Sequence, residues 1–205
     1  LPMSMKIYQH YSIFGFSNAY IVGNEERSAA IIVDPAEVTA SMIEQIEHKS
    51  YKLVAVLITH DHLHHVRGLK TLMRIYDPIV YASNTRILGT VCRKVRDQDI
   101  FEEAGFSIKA IAVPGHSQDS IIYSMGQNLF TGDALHAGVI GKTTSAFNAQ
   151  ALMNRLRDKL DGFSDETLLF PGHGPPSTLG TERKFNLGLT PDASEQYTPS
   201  YDFFV

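Results

Sequence analysis

Ile58–Gly68 reads ITHDHLHHVRG and sets four histidines and one aspartate within six consecutive positions, His60 to His65. The chain has 205 residues and nine histidines in all, so nearly half of them crowd into one turn. The run follows KLVAVLIT (Lys52–Thr59), whose near-continuous apolar character is that of a strand buried on both faces. A histidine loop at the C-terminal end of such a strand stands where α/β folds place their chemistry. His60 and His62 are two apart, a spacing that suits a loop, since a metal pair on a helix needs three or four.

Other apolar strands end in the same way. FSIKAIAVPGH runs from Phe106 to His116, TLLFPGH from Thr167 to His173, and NLFTGD closes on Asp133. Imidazole nitrogen and carboxylate oxygen are donors that zinc, iron and manganese accept. The adjoining Gly115, Gly132 and Gly172 let the backbone turn sharply. A single histidine after a strand is an ordinary polar loop residue. Four strand ends that each present a donor point to a metal centre.

SNAYIVG (Ser17–Gly23) and AAIIVDP (Ala29–Pro35) read as strands joined by a turn at NEER. EVTASMIEQIEHK places Met42, Ile43 and Ile46 on one helical face, and GLKTLMRIY (Gly68–Tyr76) reads as a second helix. IVYAS is a further strand, SIIYSM and NLFTGD form a hairpin around Gly126, and AQALMNRLRDKL aligns Leu152, Leu156 and Leu160. The alternation in both halves predicts two similar αβ units packed face to face. From Leu189 onward, Tyr197, Tyr201, Phe203 and Phe204 suggest a tail or a strap docked on the body.

Net charge is −4 with no basic stripe, which argues against a nucleic-acid partner. No run of about eighteen apolar residues predicts a membrane helix, and LPMSMKIYQH lacks the apolar core of a signal peptide. The single cysteine, Cys92, excludes an intramolecular disulfide and reads as a small core residue. These features fit a protein of the reducing cytoplasm, with a homo-oligomer left open.

Together, Thr59-His60-x-His62-x-x-His65, Pro114-Gly115-His116, Thr131-Gly132-Asp133 and Pro171-Gly172-His173-Gly174 resemble the metallo-β-lactamase-fold superfamily, over about Ser17 to Gly188. PGHGPPSTLGTERKFNLGL (Pro171–Leu189) is similar to the ending of its small glyoxalase II-like (hydroxyacylglutathione hydrolase-like) hydrolases. The resemblance implies an α/β fold, a four-layered αββα sandwich with the site at one edge between the sheets. It implies a single domain over residues 1–205, with its core over about 5–188 and a tail over 189–205. It also implies one or two divalent metal ions, zinc first, with iron or manganese as alternatives. His60, His62 and His116 would hold one ion, His65 and His173 the second, and Asp133 would bridge them. The implied activity is hydrolysis of an ester, thioester or related small acyl substrate by a metal-activated hydroxide that Asp133 orients. Glyoxalase II proper carries an extra helical domain for glutathione that this chain ends too early to include, so glutathione thioesters rank no higher than other small acyl compounds.

The chain departs from the family pattern at His64, where relatives carry an aspartate that ligates the second ion. Without that carboxylate the second cation is less well compensated. Three outcomes stand open: His64 supplies a nitrogen ligand, His64 points outward beside a weak or empty second site, or Asp61 bends inward. His136, in place of a usual phenylalanine, reads as a substrate contact or proton carrier, or as rim packing. His64 or His136 could pass the proton to the leaving group. Lys142 stands where relatives meet an anionic substrate group, with a solvated loop lysine as the alternative. Asp119 reads as a partner of a ligand histidine or as a turn residue. Two rival functions remain: a mononuclear iron dioxygenase resembling the persulfide dioxygenases, with iron on His60, His116 and Asp133, and a non-catalytic metal-binding protein with a degenerate second site.

Overall fold

Apolar runs such as Ala19–Val22, Ala29–Val33 and Leu53–Ile58 leave neither face for water, so each strand needs cover on both sides. The computed structural model, which describes residues 5–190, provides that cover in four layers. The first sheet contains β1 (Met5–Tyr11), β2 (Asn18–Asn24), β3 (Ala29–Val33), β4 (Lys52–Leu57) and β5 (Ile79–Ala82). After a small ribbon, β6 (Arg86–Ile87) with β7 (Thr90–Val91), the edge strand β8 (Arg93–Lys94) completes it. The second sheet contains β9 (Ile100–Glu103), β10 (Phe106–Ala112), β11 (Ile121–Met125) and β12 (Asn128–Gly132). A second ribbon, β13 (Leu135–His136) with β14 (Val139–Ile140), precedes β15 (Leu168–Pro171) and β16 (Ser177–Thr178), which finish that sheet.

Side chains alternate across each strand, and the core divides accordingly. Tyr20, Val22, Ile31, Leu57, Phe106, Ile108, Tyr123 and Phe130 fill the space between the sheets. Ala19, Ile21, Ile32, Val56 and Ile58 face the other way. They pack against Met42 and Ile46 of α1 (Ala40–His48) and Leu69 and Leu72 of α3 (Leu69–Ile75). On the second sheet, Ile111, Ile122 and Leu129 pack under Leu152, Met153, Leu156 and Leu160 of α4 (Ala146–Leu160) and Leu179 of α5 (Leu179–Phe185). The expected αββα sandwich and its helical faces are present. Thr39, Ser145 and Thr178 cap α1, α4 and α5 by accepting from the backbone N–H three residues on.

β3, β4 and β5 run parallel, as do β12 and β15. Their C-terminal ends therefore lie at one edge of the sandwich, which also receives the one-turn α2 (Leu63–Val66). The sheets are tied together there. Asn18 donates through Nδ2 to Pro171 O and Gly174 O, and the Tyr20 hydroxyl donates to Pro171 O at 2.7 Å. β1 escaped the sequence reading because MKIYQHY alternates half-buried and exposed positions on an edge strand, with no apolar run to mark it. Cys92 is free and buried, as expected. Among the described residues no helix is long and apolar enough to cross a membrane. The anticipated aromatic strap falls, from residue 191 on, outside the described residues.

Phe130 is fully buried and meets Tyr20 edge-on, with ring centroids 5.6 Å apart, at the centre of the inter-sheet layer. Phe130→Ala should cost about 3–5 kcal/mol, read as a fall in the urea unfolding midpoint.

Candidate metal centre

Seven of the nine histidines meet around one carboxylate, Asp133, which is 5% exposed. Its Oδ2 lies 3.7 Å from His60 Nε2, His64 Nε2 and His116 Nε2, and 3.3 Å from His65 Nε2. Its Oδ1 lies 2.8 Å from His173 Nδ1 and 3.3 Å from His136 Nε2. His62 Nδ1 is 3.1 Å from His60 Nε2 and 3.2 Å from His116 Nε2. Two four-donor sets result, His60–His62–His64–Asp133 and His64–His65–Asp133–His173, each with its donor atoms within 4.8 Å of one another. The residues that the resemblance implied as ligands lie together at the ends of β4, β10, β12 and β15, with His116 beside the two four-donor sets rather than in them.

On three of the rings the outward nitrogen is anchored, which aims the inner nitrogen. His116 Nδ1 pairs with Lys142 O at 2.8 Å, His173 Nε2 with Gly15 O at 2.9 Å, and His60 Nδ1 with Thr59 Oγ1 at 3.1 Å. His65 Nδ1 faces Asp34 Oδ2 at 3.2 Å. Both ring nitrogens of His65 are buried, yet neither makes an aligned hydrogen bond. A buried nitrogen left unsatisfied is costly unless a cation uses it. The donor set therefore fits a divalent metal.

Charge follows the same geometry. Burial, reinforced by the neighbouring rings, lowers the pKa of His60, and burial is the leading cause for His62 and His116 too. These imidazoles stay neutral and keep their lone pairs. Burial alone would lower the His65 pKa, but Asp133 and Asp34 outweigh it and raise it to about 10. Burial would likewise raise Asp133, but His65, His136, His173 and His64 hold it well below the usual carboxylate range. The carboxylate stays ionised, with positive charge, proton or cation, held beside it.

His64 turns inward and belongs to both donor sets. Gly15 stands directly over its Cβ and Ser17 Oγ donates to its carbonyl at 2.7 Å. Asp61 stays exposed on the loop, accepting from Asn84 Nδ2 at 3.1 Å, and joins neither set. Asp119 accepts from the Asp61 N–H at 3.0 Å and so braces the loop backbone rather than a ligand ring. Lys142 is exposed, and its backbone carbonyl is what touches the centre.

Several supporting residues escaped the sequence reading. Asp34 accepts from Thr59 N at 2.8 Å and Thr59 Oγ1 at 2.6 Å while facing His65. The available signal was a carboxylate closing the apolar strand AAIIV, the same strand-end rule that found Asp133. Glu182 and Asn186, both buried, hold the β13–β14 ribbon: Glu182 Oε2 accepts from Gly138 N, and Asn186 Nδ2 donates to His136 O. Their signal was a polar pair four apart, one on α5 and one at its C-terminal cap.

Comparison with known proteins agrees with this architecture. Residues 12–87 match the family described as the metallo-beta-lactamase superfamily. The chain is 31% identical over 157 residues to a hydroxyacylglutathione hydrolase of Chromohalobacter salexigens. That match takes in 75% of this chain but spans 60% of the relative's length. It is 28% identical, over 75% of the chain and 71% of the relative, to the "Probable polyketide biosynthesis zinc-dependent hydrolase BaeB" of Bacillus velezensis. The crystal structure of ETHE1 from Myxococcus xanthus superposes with a TM-score of 0.81 at 28% identity, covering 94% of this chain and 86% of that one. The chain carries a metallo-β-lactamase superfamily domain.

Gly172 packs so close that a Cβ there would run into Asp133 Oδ1 and His65 Cε1. Gly172→Ala should weaken zinc retention against a competing chelator. Asp34→Asn, which keeps shape but reverses one hydrogen-bond polarity, should lower metal affinity by about 10–100-fold in the same assay.

Proposed function

We propose that the chain is a metal-dependent hydrolase of small acyl compounds, esters or thioesters. The carrying observation is the convergence of anchored imidazoles on the buried carboxylate of Asp133. His60, His62 and His116 with Asp133 would hold one divalent ion, and His64, His65 and His173 with Asp133 the second. When bound, such an ion makes water acidic enough to ionise near neutral pH and polarises a carbonyl oxygen.

The chain's own groups do the rest. Asp133, ionised and facing the donors, accepts a hydrogen bond from the attacking water and orients it. His136 Nε2, 3.3 Å from Asp133 Oδ1 on a side chain 21% exposed, can hand a proton to the leaving group at the cleft mouth. Lys142, exposed beside the His116 loop, would meet an anionic substrate group. Zinc is the first choice, supported by the zinc dependence that the BaeB name carries. A thioester is supported by the name of the Chromohalobacter relative.

The test is a panel of hydroxyacyl thioesters and esters offered to zinc-loaded protein. Hydrolysis is expected, with loss on chelation and recovery on zinc addition. His116→Ala or Asp133→Asn should lower kcat/KM by about 100-fold or more. His136→Phe, which restores the residue usual in relatives, should lower kcat by about 100-fold with KM kept. Oxygen uptake on a persulfide with about one iron per chain would replace the hydrolase by a dioxygenase. Inactivity across the panel with metal fully loaded would leave a metal-binding protein without catalysis.

A further inference from the structure

We propose that the second cation enters this centre together with a carboxylate-bearing ligand, whose negative charge replaces the one that His64 does not supply. The inference rests on the metal-centre reading above and narrows its substrates to acyl compounds that carry a carboxylate.

The two donor sets overlap. His64 and Asp133 belong to both, and among the described residues Asp133 is the one carboxylate in either. A carboxylate has two oxygens and can serve two cations at once. An imidazole nitrogen has one lone pair and serves one. The pair of sets therefore offers two divalent cations a single formal negative charge from six residues, and one of its two shared members cannot be shared.

The structure does not repair this deficit internally. Asp34 forms a third, three-donor group with His60 and His65, but it faces His65 Nδ1, on the side of that ring away from Asp133, and it lies outside both four-donor sets. Asp61 and Asp119 are occupied with Asn84 Nδ2, the Asp61 N–H and Ser117 Oγ on the outer side of the loop. His64 is itself fixed, with its carbonyl bonded to Ser17 Oγ and its Cβ beneath Gly15.

The missing charge must then come from outside, and access exists. The side chains of His64 and His136 are 31% and 21% exposed, whereas His60 and His65 are closed off behind them. An anion approaching from solvent can reach His64, which belongs to both sets, and His173 of the second, whose side chain is 25% exposed. Coupling of this kind is reciprocal: an anion that strengthens cation binding is itself bound more tightly once the cation is present.

The test loads metal-free full-length protein with zinc, removes excess by desalting, and counts ions per chain by elemental analysis. One series uses sodium acetate, a carboxylate the size of the absent side chain, and the other sodium perchlorate at equal ionic strength. The expected result is about one zinc per chain in perchlorate and about two in acetate. His64→Asp should hold about two in both salts, because the carboxylate is then part of the chain. His64→Asn, a neutral replacement, should keep the dependence on acetate. Circular dichroism checks that each variant is folded, and the wild-type comparison stands without them. Two zinc ions per chain in perchlorate, or one in both salts, overturns the proposal. No zinc retained in either salt would instead overturn the metal-centre reading on which it rests.

Discussion

The organising constraint of this molecule is a buried, ionised carboxylate that must be neutralised where water cannot do it. Asp133 ends a strand of the second sheet, and the rings that answer its charge arrive from both sheets. His60 to His65 come from the end of β4, His116 from the end of β10, and His173 from the end of β15. Leaving such a charge uncompensated would be expensive. The site therefore joins the two halves of the sandwich at that edge, in addition to the apolar layer between them.

The apolar layers and the polar edge are two consequences of one strand arrangement. Strands covered on both faces have nowhere to present chemistry except at their ends. Parallel neighbours bring several of those ends to one side. The clamp from Asn18 and Tyr20 onto the Pro171–Gly174 turn then fixes how far apart the sheets stand at that edge. The spacing of the donors is thus set both by this clamp and by the groups that hold individual rings, such as Thr59 Oγ1, Lys142 O and Gly15 O.

Most of this was legible in the sequence, for reasons that can be named. Continuous apolar runs marked β2, β3, β4 and β10, and a donor after each of four strands marked the centre. Two-residue strands such as β6, β7, β13 and β16 were not legible, because pairing that short is decided by what lies alongside. The orientation of His64 was not legible either. It depends on Gly15 and Ser17, whose loop, SIFGFS, carries no sign that it folds over a histidine run forty-seven residues away. Asp34 could have been found by applying the strand-end rule once more, whereas Glu182 and Asn186 needed knowledge of what α5 packs against.

The brace formed by Glu182 and Asn186 makes the two ends of the sandwich unequal. The hairpin tip at Gly126 joins β11 to β12 far from the donor-bearing strand ends, and a Cβ there would meet open space. Inserted loops, labels or fused segments at that tip should leave the donor cluster untouched. The same additions just after Asn186 would lever against the His136 ribbon through two hydrogen bonds, so remodelling belongs at the blunt end of the molecule.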